Sequence, residues 1–197
     1  MKRALLVIDA QKVYTTEGSE LFCPDSAATI GRINQLIEQF QSAGEPIVFL
    51  RHMHKTDGSD LGRMFDFQGE WDGKFNFKEG TGEVEYDGRL LRPAGAIEIA
   101  KTRYSAFANT PLQQELRRMG VDSVVICGFM TNFCCDSSAR DAHDLDYYVD
   151  FVLDATGTPG TENMNEASVR SAESEFLRAG IARVVTTEQI LTRKAVV

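Results

Sequence analysis

Histidine is nearly missing from this 197-residue chain: only His52, His54 and His143 occur. Any catalytic chemistry that needs an imidazole must recruit one of these three. Cysteine is sparse as well, with Cys23, Cys127, Cys134 and Cys135. Two are adjacent and one lies in an apolar run, so there is no secreted disulfide framework and no C-x-x-C zinc pattern. Such usage fits reduced thiols and a cytoplasmic setting. No apolar run is long enough to span a bilayer. The N-terminus enters a core-like run at once, from Ala4 to Ile8, which is not the pattern of a signal peptide. No Lys/Arg cluster offsets the net charge of -8, and such a surface repels phosphate backbones. The expected partner is a small-molecule substrate, with neither nucleic acid nor membrane. Repeats, low-complexity tracts and linkers are absent too, so residues 1–197 read as one domain with a full core.

What is present alternates between strand and helix. Ala4-Leu5-Leu6-Val7-Ile8 is a continuous apolar run, the mark of a parallel strand covered on both faces. It ends at Asp9. Pro24, Asp25 and Ser26 open a helix with an apolar face of Ile30, Ile33, Ile37 and Phe40, stopped at Gly44. Pro46 to Leu50 is a second strand and Ile97 to Ala100 a third, ending at Lys101. Thr110 and Pro111 start a helix carried by Leu112, Leu116 and Met119 and closed by Gly120. Ser123 to Cys127 is a fourth strand, broken by Gly128, and a helix follows from Cys134. Tyr148 to Leu153 is a fifth strand. Val169, Ala172, Phe176 and Ala179 mark a helix closed by Gly180. Ala182 to Val185 is a sixth strand, followed by a short helix over Glu188 to Leu191. This order predicts an α/β fold of three αβα layers, with a Rossmann-like, mainly parallel six-stranded sheet. The stretch from Arg51 to Ala96 is irregular and rich in glycine and aromatics, which reads as a lid or binding loop. Within it, Asp87-Gly88 predicts a hairpin turn between Glu83 and Leu91.

Ligands of such sheets bind at the carboxyl ends of the strands. Asp9, Lys101 and Cys134 each lie at or just past such an end, so the topology delivers an acid, an amine and a thiol to one edge. At a helix N-terminus a thiol is biased toward thiolate. His143 lies more than two helical turns beyond Cys134, so a Cys–His dyad requires His52 or His54 to reach over. Asp9 can act as base, Lys101 can stabilise the thiolate, and backbone N–H groups at Met130 and Cys134 can form an oxyanion hole. These parts describe acyl transfer through a thioester.

D-A-Q at Asp9 to Gln11, K-T-R-Y-S-A-F at Lys101 to Phe107 and G-F-M-T-N-F-C-C-D-S-S-A-R-D-A at Gly128 to Ala142 resemble the three signatures of the isochorismatase-like cysteine hydrolases. That family includes nicotinamidases, N-carbamoylsarcosine amidases, ureidoacrylate-type amidohydrolases and isochorismatases. The resemblance covers nearly the whole chain. It implies Cys134 rather than Cys135 as nucleophile, Asp9 as base and Lys101 as the third member of a triad. It further implies a non-proline cis peptide at Phe129–Met130, and homodimers or homotetramers. Gln11, His52, Trp71, Tyr104 and Phe129 are the expected substrate-binding residues. The nicotinamidases of the family hold a metal through Asp-x-His and a further histidine. Here that position reads His52-Met53-His54 and the lid has no third histidine, so neither metal nor cofactor is expected.

Three functions follow. The first is cysteine-dependent hydrolysis of an amide, ureido or carbamoyl C–N bond. The second is vinyl-ether hydrolysis of the isochorismatase type, which need not use the cysteine. The third is a thiol redox or binding role for the Cys134–Cys135 pair, which disulfide geometry disfavours. Arg51, Arg63, Lys74, Arg89 and Arg92 could meet an acidic substrate.

Overall fold

A computed structural model describes residues 1–66, 68–70 and 72–192. Its centre is β1 (Arg3–Ile8), whose side chains alternate between two apolar layers. Leu5 and Val7 join one, with Ile30, Ile33, Ile37 and Phe40 of α2 (Ser26–Ser42) and Ile190 of α6 (Thr187–Leu191). Ala4, Leu6 and Ile8 join the other. There they meet Leu112 and Leu116 of α3 (Leu112–Arg118), Ala139 and Ala142 of α4 (Asp136–Asp144) and Leu177 of α5 (Glu166–Arg178). A strand buried on both faces has no polar side to present, which is why its sequence is unbroken apolar.

The other strands are β2 (Ile47–His52), β3 (Ile97–Lys101), β4 (Ser123–Phe129), β5 (Tyr148–Gly157) and β6 (Arg183–Val185). The order is β3-β2-β1-β4-β5-β6, and every pairing is parallel. The chain winds outward from β1 through β2 to β3, then returns to place β4 on the other side of β1. A crevice opens at such a reversal, at the carboxyl ends of the strands. Among the described residues, no helix is long and apolar enough to cross a membrane.

Several local expectations need correction. Gly128 does not end β4, which runs on to Phe129. Instead, at φ 124°, it lets β4 press against β1: a Cβ there would lie 1.9 Å from the Ile8 carbonyl oxygen. β5 is longer than predicted, and its register against β4 shifts between Ile126 and Gly128. A short helix, α1 (Lys12–Thr15), follows Asp9 at once and was not legible. The face of α5 is Val169, Glu173, Ser174 and Leu177, while Phe176 is 63% exposed. The buried polar pair Glu173–Ser174 took the positions that apolar periodicity assigned to Phe176 and Ala179. The Asp87-Gly88 hairpin does not form. A single 3-10 turn covers Gly82–Val84, and Tyr86 bridges antiparallel to Gln11 instead. Asp87 is held by Arg89 in a two-oxygen ion pair, at 2.8 and 2.6 Å, so its carboxyl sits at about 2, the partner outweighing partial burial. Among the described residues between 53 and 96, Leu61, Phe77, Val84, Tyr86 and Leu90 are buried and anchor the segment to the body.

Candidate active site

β1 delivers Asp9, in a left-handed backbone conformation at φ 48°. Its N–H donates to Leu50 of β2, and its carbonyl accepts from Gln11 N–H at 2.7 Å. β3 delivers Lys101 as its last residue. β4 leads into a single π-helical turn, Thr131–Cys135, which carries Cys134. Such turns are rare and recur at functional sites. Polar side chains fix this one from several sides. Thr131 donates to Thr156 Oγ1 at 2.9 Å, Thr158 donates to Asn132 Oδ1 at 3.0 Å, and Ser138 donates to the Cys134 carbonyl at 2.6 Å. Ser138 also accepts from Ala106 N–H, tying the turn to the loop after β3. The Phe129–Met130 peptide is cis.

The three side chains converge. Lys101 Nζ lies 2.8 Å from Asp9 Oδ2 and 3.2 Å from Cys134 Sγ, and donates to the Arg103 carbonyl at 3.0 Å. All three residues are buried, at 0, 1 and 2% exposure. Burial pushes the Asp9 carboxyl up, and Lys101 beside it only partly restores the balance. Burial alone would lower Lys101, but the charges of Asp9 and Cys134 hold it above its ordinary value. Burial pushes the Cys134 thiol up to about 12 against the pull of Lys101. Burial therefore works against the thiolate bias expected from the sequence. Cys134 sits inside a dry turn, not at the open N-terminus of α4, and desolvation outweighs dipole and ammonium. Cys135 is also buried, packed among the apolar residues between sheet and helices, and its thiol is pushed well above the usual range.

The remaining expected residues divide. Gln11 has no free polar atom: Nε2 donates to the carbonyls of His52 and Val84, and Oε1 accepts from His52 N–H. It clamps β2 and the lid to β1 rather than lining a pocket. Phe129 is fully buried and stacks on Tyr14 at 5.5 Å, so its ring belongs to the core. Trp71 lies outside the described residues. Tyr104 is 37% exposed and packs on the equally exposed Phe133 with centroids 5.1 Å apart. Burial and the nearby Cys134 sulfur raise its hydroxyl. His52 does reach the triad: one of its ring nitrogens lies within 4.8 Å of an Asp9 oxygen and the Cys134 sulfur. Burial holds it well below the usual histidine range, so it is neutral.

Asp9, His52 and Cys134 together resemble a metal-ligand set by distance alone. The donor chemistry argues against an ion there, because the Lys101 ammonium already stands against the acid and the sulfur. Two cavities lie away from the triad. One of about 630 Å³ is at the opposite sheet edge, lined by Ser123, Tyr148 and Arg183. Another of about 1050 Å³ lies on the lid against Phe65, Phe75 and Lys78.

The family model of the isochorismatase domain matches residues 3–189. Nicotinamidase 3 of Arabidopsis thaliana is 32% identical over 177 residues, covering 88% of this chain and 81% of that protein. The ureidoacrylate amidohydrolase RutB of Variovorax paradoxus is 32% identical over 197 residues, covering 88% of this chain and 75% of its own. Among solved structures, a cysteine hydrolase from Pseudomonas syringae superposes with a TM-score of 0.89 at 28% identity, over 96% of this chain and 91% of that one. With the domain model matching residues 3–189 and these relatives over most of its length, the chain belongs to the isochorismatase family of hydrolases.

Proposed function

We propose that the protein hydrolyses an amide, ureido or carbamoyl C–N bond of a small molecule through a Cys134 thioester. The carrying observation is that one ammonium touches both the acid and the sulfur, at 2.8 and 3.2 Å. Moving the thiol proton to Asp9 turns carboxylate, ammonium and thiol into carboxylic acid, ammonium and thiolate. The net charge of the buried site is unchanged, so the transfer adds no desolvation penalty for a new charge. The raised Asp9 makes it a stronger base than an ordinary carboxylate.

The thiolate then attacks the carbonyl carbon, and backbone N–H groups at Met130 and Cys134 hold the developing oxyanion. As the intermediate collapses, the C–N bond breaks and Asp9 returns the proton to the leaving nitrogen. Water, deprotonated by Asp9, attacks the thioester. The acid is released, and the proton goes back to sulfur. The similarity to a nicotinamidase and a ureidoacrylate amidohydrolase supports this over ether cleavage. The test is ammonia release from a panel of amides, ureido acids and carbamoyl compounds. Cys134→Ala should abolish turnover with folding intact, and intact-mass analysis of the wild type should trap an acyl adduct on Cys134. Turnover that survives Cys134→Ala but is lost in Asp9→Ala would assign ether hydrolysis instead.

A further inference from the structure

His52 is held with unusual completeness for a residue outside the triad. Its backbone is clamped by Gln11 through N–H and carbonyl, at 2.9 and 3.0 Å. Its ring stacks flat on Phe77, with centroids 4.3 Å apart and planes 4° apart. Its Nε2 lies 3.0 Å from Nε2 of His54, another fully buried ring. The edges of Phe65 and Phe75 flank His54 in turn. Behind His54 stands Asp60, whose Oδ1 is 3.3 Å from His54 Nδ1; the contact falls short of good hydrogen-bond geometry, but the nearby carboxylate favours a proton on that nitrogen. Both Asp60 oxygens accept from Lys55 N–H, and Arg103 donates to the Asp60 carbonyl, which fixes the turn carrying it.

With both rings neutral, the Asp60 carboxylate favours one of the two proton arrangements open to the pair. A carboxylate only accepts, so His54 carries its proton on Nδ1 and offers Nε2 as acceptor. His52 must then donate from Nε2, which leaves its Nδ1 bare. That nitrogen is buried and has no hydrogen-bond partner among the described residues. One ring nitrogen of His52 lies within 4.8 Å of an Asp9 oxygen and the Cys134 sulfur, and with Nε2 engaged by His54 it is Nδ1 that is free to accept there. Lys101 and Arg103 oppose protonation of both rings by charge, on top of burial.

We propose that Asp60 and His54 set the tautomer of His52 so that a hydrogen-bond acceptor faces the reacting centre, and that it receives an N–H of the substrate's amide or ureido group. Asp60 and His54 are positioning residues; His52 is the group that touches substrate. The proposal rests on the amidohydrolase reading and narrows it. Substrates with an N–H donor beside the scissile carbonyl are selected, and those without it lose the contact. A site built to pair a polar group discriminates strongly against an analogue that lacks it.

The experiment uses the full chain labelled with ¹⁵N at the histidine rings; with three histidines, single substitutions assign every signal. Wild type should show His52 protonated on Nε2 and His54 on Nδ1. In Asp60→Asn the charge that favours a proton on His54 Nδ1 is gone and the side-chain amide can donate there, so both tautomer populations should shift toward the reverse arrangement. The kcat/KM on primary amides and ureido acids should then fall on the order of 10- to 100-fold, while turnover of p-nitrophenyl acetate, which has no N–H, is unchanged. His52→Phe, which keeps a flat ring on Phe77 but offers no acceptor, should lose kcat/KM on primary amides and ureido acids to a similar degree. A His52 proton found on Nδ1 in wild type, tautomers unmoved by Asp60→Asn, or equal losses on ester and amide would each overturn the proposal. The ring spectra do not depend on turnover, so a failure of the thioester reading in Cys134→Ala is seen separately.

Discussion

Lys101 has the most demanding position of any side chain here. Its stem crosses the interior and its ammonium stands fully buried between an acid and a sulfur. Removing one partner of a buried ion pair strands the other charge. Lys101→Met should therefore cost about 3–5 kcal/mol of stability at neutral pH in urea unfolding. The cost should shrink as pH falls, because a stranded Asp9 is tolerated once protonated. Asp9→Leu combined with Lys101→Met should recover much of that stability and no activity. If the single and double variants lose stability equally, the pair is not the stabilising unit described. The convergence of the three side chains was readable from the sequence because Asp9 and Lys101 each follow a strand run and Cys134 opens the helix predicted after β4. Asp60 was not, since nothing in Asp57-Gly58-Ser59-Asp60 distinguishes its carboxylate from an ordinary turn acid.

At the scale of elements, the junction of β4 with the cysteine turn decides where the sulfur goes. Gly128 pairs with Ile8 in register, and the two backbones approach more closely than any side chain permits. Gly128→Ala should cost more than about 4 kcal/mol, in the range reserved for severe steric faults. Circular dichroism on purified protein would show a lowered Tm or failure to fold, and a Tm near wild type would refute the close approach. The sequence marked a strand, a turn and a helix here, but not the π-helical geometry of the turn. Hydrophobic periodicity reports which face is buried and says nothing of how a short connection is wound. The same limit explains α5: Phe176 and Ala179 keep helical spacing, yet the buried positions belong to Glu173, which faces Asp136 and Arg140 of α4, and Ser174, which accepts from Arg178 of α5 itself.

For the molecule as a whole, that Glu173 gives a pH dependence with a definite sign. It faces Asp136 and Arg140 of α4, with Arg140 Nη2 3.9 Å from its Oε1. Burial, then the Asp136 carboxyl, push it from 4.5 up to about 8. Between those values the native state holds a proton that the unfolded chain releases, so stability must fall as pH rises across that window. Below about 4.5 both states are protonated and the contribution is fully present. Thermal unfolding of Glu173→Gln, which keeps a hydrogen-bond donor without the charge, should show a flatter decline of Tm over this range. An identical pH profile in both proteins would show that the α4–α5 contact carries no shared proton.

The sequence alone determined the six strands, their parallel sense and the common edge that receives Asp9, Lys101 and Cys134. Local runs and strand–helix alternation fix these through burial and chain connectivity. Only the tertiary structure decided the protonation of the site. Whether a thiol ionises, which nitrogen of His52 stays bare and whether Gln11 faces a pocket or clamps two strands all depend on water being excluded and on partners brought from distant parts of the chain. Desolvation and pairing are properties of the packed molecule, and no spacing along the polymer encodes them.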